Sequence, residues 1–140
     1  MSRLLLNIHA LVCTLALFAV GIRASASSQD GTYDVFVPIA KYMGQGNAEK
    51  LSAWFADNLE IAVMSPSNAS SRSQARQILE AFFNSYTPRS FEITHTAGRS
   101  HFKYAIGSLN AGGEIFSVTI FVCRCDDEYS IQQLKIERLK

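Results

Sequence analysis

The chain has 140 residues, of which 48% are hydrophobic and 18% are charged, with 13 Lys and Arg against 12 Asp and Glu. This length and apolar content predict one globular domain rather than two domains or a disordered chain. The near-zero net charge argues against a nucleic-acid-binding protein, which normally carries a basic excess to neutralise phosphates. Three cysteines are too few for a small domain held together by disulfides.

The first 26 residues have the three parts of a secretory signal peptide. Arg3 supplies a positive start, residues 10–22 are almost purely apolar, and Ala24-Ser25-Ala26 offers the small side chains that a signal peptidase requires. The alternative is an uncleaved anchor, although the apolar run is shorter than the roughly 20 residues of a membrane-spanning helix. We expect an exported protein with no membrane span after cleavage, and a mature chain 27–140 that has lost two arginines.

Three amphipathic helices are predicted in the first half of the mature chain. The first covers residues 33–43, where apolar side chains recur at helical spacing. Asn47 is suited to cap a second, short helix. Ser71 and Gln74 form a capping-box pattern that opens a third helix, which ends before Pro88.

Alternating apolar and polar residues predict strands in the remaining segments. One strand lies between the second and third helices, and four follow the third helix: 59–64, 90–97, 101–109, 114–125 and 128–139. This order predicts an α+β domain, with three helices packed in the concave face of a bent, mostly antiparallel sheet of about five strands. Strands of this length bend around the helices, so a cone open at one end is expected.

Several segments resemble the nuclear transport factor 2-like superfamily, which includes SnoaL-like and ketosteroid-isomerase-like proteins and has a cystatin-like fold. The resemblance is carried by Gly46-Asn47-Ala48, by residues 54–59 (WFADNL), by Phe82-Phe83 and by the closing residues 131–136. The hairpin at residues 104–118 is similar to that of short exported bacterial proteins built on a domain of unknown function. The resemblance implies a single such domain over 27–140 in a periplasmic or secreted bacterial protein. It does not imply one activity, because the superfamily includes enzymes, ligand binders and protein-binding modules.

Strand parity predicts which side chains face the cone. Phe116, Val118, Ile120 and Val122 form the purest apolar stripe and are expected to face inward. The same rule turns two further sets inward, Phe102, Tyr104 and Ile106 on one strand and Phe91, Ile93 and His95 on another. The candidate ligand-binding residues are therefore Trp54, Phe83, His95, Phe102, Tyr104 and Phe116.

His95 is the best chemical candidate, because an imidazole on an apolar wall can act as a general base or bind a ligand oxygen. Tyr104 could donate a hydrogen bond beside it, and Asp57 follows the second helix, where some enzymes of the resembled superfamily place an acid or base. Each residue also has a structural interpretation, a core histidine for His95 and a turn cap for Asp57. Parity places His101 on the face opposite His95, so no metal site is expected. The sequence has no phosphate-loop or dinucleotide-binding glycine motif, and no cofactor is expected.

The two cysteines of the mature chain, Cys123 and Cys125, are predicted on the outer face of one strand. Their Cα atoms would lie roughly 6.6 Å apart with parallel side chains, which disfavours a disulfide between them. The outer face also carries apolar residues, and proteins with the stated resemblance often dimerise sheet to sheet. We therefore expect a homodimer through Leu109, Phe121 and Cys123.

Three functional hypotheses follow. The first is a non-catalytic exported domain that binds a small apolar ligand or a partner protein, favoured by an inner wall of Phe, Ile and Val with few polar groups. The alternative is an isomerase or dehydratase that uses His95 with Asp57 or Tyr104 in the cone. The third is an interaction or inhibitor module that acts through the outer face or the edges of the sheet.

Overall fold

The computed structural model describes residues 33–139, so the predicted signal peptide lies outside the described residues. All elements fall within the unit that begins at Val35. The helices are α1 (Phe36–Gln45), α2 (Ala48–Ser52) and α3 (Arg72–Ser85). The strands are β1 (Phe55–Val63), β2 (Asn68–Ser71), β3 (Pro88–Gly98), β4 (Phe102–Ala111), β5 (Glu114–Cys125) and β6 (Glu128–Arg138). None of these helices is long and apolar enough to cross a membrane.

Local caps define the helix ends, as predicted for Asn47 and Ser71. Gly46 ends α1 in the left-handed region at φ 67°, where a residue without a Cβ atom is favoured. The Asn47 side chain accepts a hydrogen bond from the Lys50 N–H at 3.0 Å and so begins α2. Ser71 and Gln74 form the full capping box of α3, with both reciprocal hydrogen bonds present. Short-range sequence signals therefore fix where each of these helices starts or stops.

The sheet has six strands in the order β2-β1-β6-β5-β4-β3, rather than about five. Neighbouring strands are antiparallel except for β1 and β6, which are parallel. The additional strand is β2, a short polar edge strand that pairs with residues 58–61 of β1. Its sequence, Asn-Ala-Ser-Ser, lacks apolar alternation, so only its pairing with β1 makes it a strand.

The helices cover one face of the sheet, which we call the helical face; the opposite face is the outer face. α1 packs against β3 and β4, and α3 packs against β1 and β2. The helical face of β5 and β6 is fully buried and carries Phe116, Val118, Ile120, Val122, Ile131, Leu134 and Ile136. The inward stripe predicted for β5 is therefore confirmed.

Two-residue turns set the register of the β4, β5 and β6 meander. Gly112 and Gly113 both have positive φ, as do Asp126 and Asp127. Turns of this type match the twist of antiparallel strands. The first of them pairs Ala111 with Glu114, so the turn lies at residues 112–113 and β4 extends two residues beyond the predicted 101–109.

This register reverses the predicted faces of β4. Leu109 pairs with Phe116, so it lies on the helical face and is 0% exposed. The expectation that Leu109 belongs to an outer-face interface is therefore wrong. Phe102, Tyr104 and Ile106 lie on the outer face instead, because buried positions alternate with theirs: Lys103, Ala105, Gly107, Leu109 and Ala111.

A bulge in β3 turns His95 outward. Ile93 pairs with Gly107 and His95 pairs with Ile106, so Thr94 is the extra residue. The Thr94 hydroxyl donates a hydrogen bond to the Ile106 carbonyl at 3.1 Å. An extra residue reverses strand parity. Ile93 therefore faces the helices while His95 faces outward, which overturns the predicted inward orientation of His95.

Candidate functional site

His95 and Tyr104 lie together on the outer face of the sheet. Their ring centroids are 6.0 Å apart. Phe102 stacks on Phe121 with centroids also 6.0 Å apart, and it is 46% exposed. The prediction that His95, Phe102 and Tyr104 line the cone is wrong, because the β4 register and the Thr94 bulge turn all three outward.

The space beneath the helices is filled by aromatic side chains. Phe82 packs against Phe83, Tyr86 and Phe116 with ring centroids 5.1–5.7 Å apart. Phe83 and Phe116, both expected to bind a ligand, are 7% and 0% exposed. Phe116 belongs to this core, whereas Phe83 also lines a surface cavity of about 420 Å³ between α1, α2 and α3. The structure therefore places packed core where the sequence predicted an apolar binding wall.

Asp57 does not join His95 and Tyr104. It lies on β1, and β6, β5 and β4 separate that strand from β3. Four strand spacings correspond to roughly 19 Å. The Asp57 side chain is 89% exposed and forms an ion pair with Arg72, with Nη2 and Oδ1 3.0 Å apart. These positions are incompatible with an isomerase or dehydratase site in the cone that combines His95 with Asp57 or Tyr104.

Trp54 lies in a surface groove near the start of β1 and β6, which we call the Trp54 groove. The groove consists of two adjoining cavities of about 300 and 490 Å³, within the size range of small-ligand sites. Both cavities are lined by Ala53, Trp54, Glu128 and Tyr129. The smaller one is also lined by Phe55, Ala56, Asp57, Arg72, Cys125, Ser130 and Gln132.

Strand irregularities form the floor of this groove. Between the pairs Phe55–Ile131 and Glu60–Gln133, β1 has four residues where β6 has one, Gln132. Gln132 is also the extra residue of β6 against β5. Its Nε2 donates a hydrogen bond to the Ser130 Oγ at 3.1 Å. Bulges of this kind re-aim side chains and are common beside binding sites.

Hydrogen bonds hold the main chain of Trp54 and the side chain of Tyr129. The Ile131 N–H donates to the Trp54 carbonyl at 2.6 Å, which ties the Trp54 main chain to β6. The Tyr129 hydroxyl accepts a hydrogen bond from the Lys103 ammonium at 2.8 Å and donates one to the Ser100 carbonyl at 3.0 Å. The Lys103 Nζ also lies 4.8 Å from the centre of the Tyr129 ring. This arrangement holds Tyr129 in place before any ligand binds.

Arg72 connects the groove to the first turn of α3. Its Nε–H donates to the Phe55 carbonyl at 3.2 Å, and its Nη2 donates to the Asp57 Oδ1 at 3.0 Å. The guanidinium thus satisfies a carbonyl at the start of β1 and neutralises the only carboxylate of the β1 bulge. Within the groove the positive charge of Arg72 is therefore already balanced by Asp57.

Cys123 and Cys125 form no disulfide with each other, as the strand geometry predicts. Partial burial, and to a smaller extent the neighbouring Cys125, raise the pKa of the Cys123 thiol above its usual value. Cys125 is exposed and lines the groove. Within residues 33–139, no group of three His, Cys, Asp or Glu side chains is arranged to hold a metal ion.

Trp54 and Asp57 were predicted as candidate site residues from the sequence, whereas Arg72, Tyr129 and Gln132 were not. One signal for Gln132 is present in the sequence. The buried residues Ile131 and Leu134 are three apart, whereas Leu134 and Ile136 are two apart. A spacing of three within a strand indicates a bulge. Tyr129 and Arg72 meet the groove only through tertiary packing, for which the sequence has no local signal.

The chain matches one family model and several solved structures. The family model of a domain of unknown function, DUF4783, matches residues 36–137. A DUF4783 protein from Bacteroides uniformis is 22% identical, covers 74% of this chain and 95% of its own, and superposes with a TM-score of 0.71. No curated protein matches the chain.

More distant structures share the same architecture. A domain of unknown function with a cystatin-like fold from Nostoc punctiforme is 11% identical, with 74% of this chain and 72% of that chain covered and a TM-score of 0.59. A protein of the nuclear transport factor 2-like family from Streptomyces avermitilis, described as a candidate dehydratase, is 12% identical, with 74% and 90% covered and a TM-score of 0.56. These likenesses concern the fold alone. With its family model matched from the first helix to the last strand, the chain belongs to the DUF4783 family, a domain of unknown function within the nuclear transport factor 2-like, cystatin-like fold.

Proposed function

We propose that the protein is a non-catalytic domain that binds a small ligand in the Trp54 groove. The observation that carries this proposal is the pair of adjoining cavities that share the walls Trp54 and Tyr129. The Tyr129 wall is held by hydrogen bonds to Lys103 and Ser100, which lowers the ordering cost of binding. The groove also contains polar groups that can orient a ligand, among them Gln132 and Glu128.

The candidate catalytic residues support a binding role over an enzymatic one. His95 and Tyr104 face outward, and the Asp57 carboxylate is already paired with Arg72. General acid–base catalysis requires its groups within hydrogen-bond reach of one reacting atom. Asp57 and His95, which have three strands between them, do not meet that requirement.

The sole tryptophan of the chain makes this proposal directly measurable. A panel of amino acids, dipeptides, nucleosides, fatty acids and neutral sugars is titrated while the Trp54 emission is recorded. We expect one class to change the emission in a saturable way, because a ligand in the groove replaces water at the indole. The Gln132→Ala variant should weaken that titration, while the matched outer-face variant Phe102→Ala should leave it unchanged. Absence of any saturable change across the panel, or equal effects of both variants, would contradict the proposal.

We also propose that two copies associate through the outer face. On β4 and β5 this face carries Phe102, Tyr104, Thr119 and Phe121 and no charged side chain. A two-fold axis can therefore pass through it without bringing like charges together. Phe102 is 46% exposed, unusual for a ring of this size on a solvated face.

Analytical ultracentrifugation tests the association. We expect a dimer at micromolar concentration, and a shift toward monomer when Phe102→Ala and Phe121→Ala are combined. The matched control is Ile78→Ala, which removes an exposed apolar side chain from α3 instead. A wild-type protein that sediments as a monomer at tens of micromolar is incompatible with the proposed interface.

A further inference from the structure

We propose that the ligand of the Trp54 groove is a neutral saccharide. This inference rests on the proposed function and names the chemical class that the groove is built to accept. It depends on three properties of the lining residues: their charge balance, their mixture of hydrogen-bonding groups, and their aromatic walls.

Two carboxylates face one guanidinium among the lining residues, so the groove disfavours an anionic ligand. Only Asp57, Arg72 and Glu128 are charged among the residues that line the two cavities. Asp57 and Arg72 neutralise each other at 3.0 Å. A phosphate or carboxylate ligand would have to compete with Asp57 for Arg72 and would face the remaining Glu128 carboxylate. Recognition of such anions usually relies on cations or N–H groups that are free to bind them.

The polar groups of the groove combine donors with acceptors. Glu128 accepts hydrogen bonds, Gln132 can both donate and accept, and the Ser130 hydroxyl can do both. Sugar hydroxyls also donate and accept, so adjacent hydroxyls match such side chains. A wholly apolar ligand would instead remove water from these groups without replacing its hydrogen bonds, and that is unfavourable.

The aromatic walls match the other half of a sugar's chemistry. One face of a pyranose ring consists of C–H groups, and these can lie flat on an indole or phenol ring while the hydroxyls project from the edge. Trp54 and Tyr129 line both cavities, and Tyr129 is held by its bonds to Lys103 and Ser100. Aromatic side chains supply large contact areas at low conformational cost.

The two cavities lie next to each other and together have room for more than one ring. They share Ala53, Trp54, Glu128 and Tyr129. A disaccharide would place one ring on the Trp54 side and present the other to Gln132 and Ser130. The probes for the test are therefore maltose, cellobiose and N,N′-diacetylchitobiose, with neutral dipeptides and sugar phosphates as comparators.

Two independent signals report on occupancy. Trp54 emission reports on one wall, and alkylation of Cys125 by iodoacetamide, followed for each cysteine by peptide mass spectrometry, reports on the floor. We expect at least one neutral disaccharide to shift the emission saturably and to slow alkylation of Cys125 several-fold, with little effect on Cys123. Gln132→Ala should weaken binding about tenfold, the loss expected for one well-made hydrogen bond. Phe102→Ala should bind as the wild-type protein does.

The outcomes separate the two proposals. A dipeptide or sugar phosphate that protects Cys125, where the neutral disaccharides do not, overturns the saccharide class and leaves the binding function standing. If no probe protects Cys125 or changes the Trp54 emission at millimolar concentration, both proposals fail. If Trp54→Phe and Gln132→Ala both leave the disaccharide protection of Cys125 at the wild-type level, neither side chain contacts the sugar, and the inference is also overturned.

Discussion

Gly107 is the residue on which the packing of the β3–β4 half of the sheet depends. A Cβ atom at this position would lie 2.4 Å from the Phe91 Cζ and 2.8 Å from the Glu92 carbonyl oxygen. The Phe91 ring thus occupies the space that any other residue would need for its own side chain. This close approach explains how a strand with a small residue at its centre can still contribute to a filled core.

We predict that Gly107→Ala destabilises the fold by about 1–3 kcal/mol, the usual cost of overpacking a core. Urea unfolding measures the change. Ser108→Ala is the matched control, since its side chain points to the outer face and should change stability little. Adding Phe91→Leu to Gly107→Ala should recover part of the loss, because the contact with the ring is relieved while the contact with the Glu92 carbonyl remains. Equal stability of the Gly107 and Ser108 variants would show that Phe91 does not fill this space.

At the scale of elements, the ends of α3 are determined locally. The Ser71 Oγ accepts a hydrogen bond from the Gln74 N–H at 3.2 Å, and the Gln74 side chain accepts one from the Ser71 N–H at the same distance. Two N–H groups that the helix cannot satisfy itself therefore gain partners.

We predict that Ser71→Ala costs about 1 kcal/mol in the free energy of unfolding, the typical value for losing an N-cap. The control is Ser73→Ala, two residues after Ser71 and exposed. It should be neutral or slightly stabilising, because alanine favours a helix. Thermal unfolding followed by circular dichroism compares the two. A Ser73 variant that loses as much stability as the Ser71 variant would contradict a capping role.

The same scale explains how far the sequence could predict the structure. The capping box of α3, the Asn47 cap and the turn at Asp126-Asp127 were predictable, because each depends on residues within four positions of one another. The outward orientation of His95 was not, because one extra residue, Thr94, reverses the parity of everything after it.

The site was harder to predict than the fold for a related reason. The core can be inferred from a repeating apolar pattern, but the groove forms where that pattern is interrupted. Trp54 was predicted to bind a ligand and does line a cavity, though not the cone. Gln132 and Tyr129 reach the same cavity only because β1 and β6, separated along the chain by residues 64–127, are parallel neighbours. Non-local pairing of this kind leaves no trace in a local window of sequence.

At the scale of the whole molecule, the two ends of β6 have different roles. Glu128, at its start, lines the Trp54 groove. Arg138, at its end, donates a hydrogen bond to the Tyr86 hydroxyl at 2.7 Å and forms an ion pair with Glu114 at 3.1 Å. Arg138 therefore joins the end of α3, the start of β5 and the end of β6. An 11-residue strand places these two ends roughly 33 Å apart.

We predict that Arg138→Ala lowers the free energy of unfolding by about 1 kcal/mol, a modest value because the ion pair is half exposed and screened by solvent. Such a loss shifts the melting temperature by about 4–8 °C in a domain of this size. Lys135→Ala is the matched control, as it breaks a two-residue surface pair with Glu137 on the same strand and should change stability by less. The Trp54 emission maximum should stay unchanged in both variants, because the groove lies at the other end of β6. A shifted emission in folded Arg138→Ala protein would mean that the two ends are coupled, and that stability and binding are not separable in this fold.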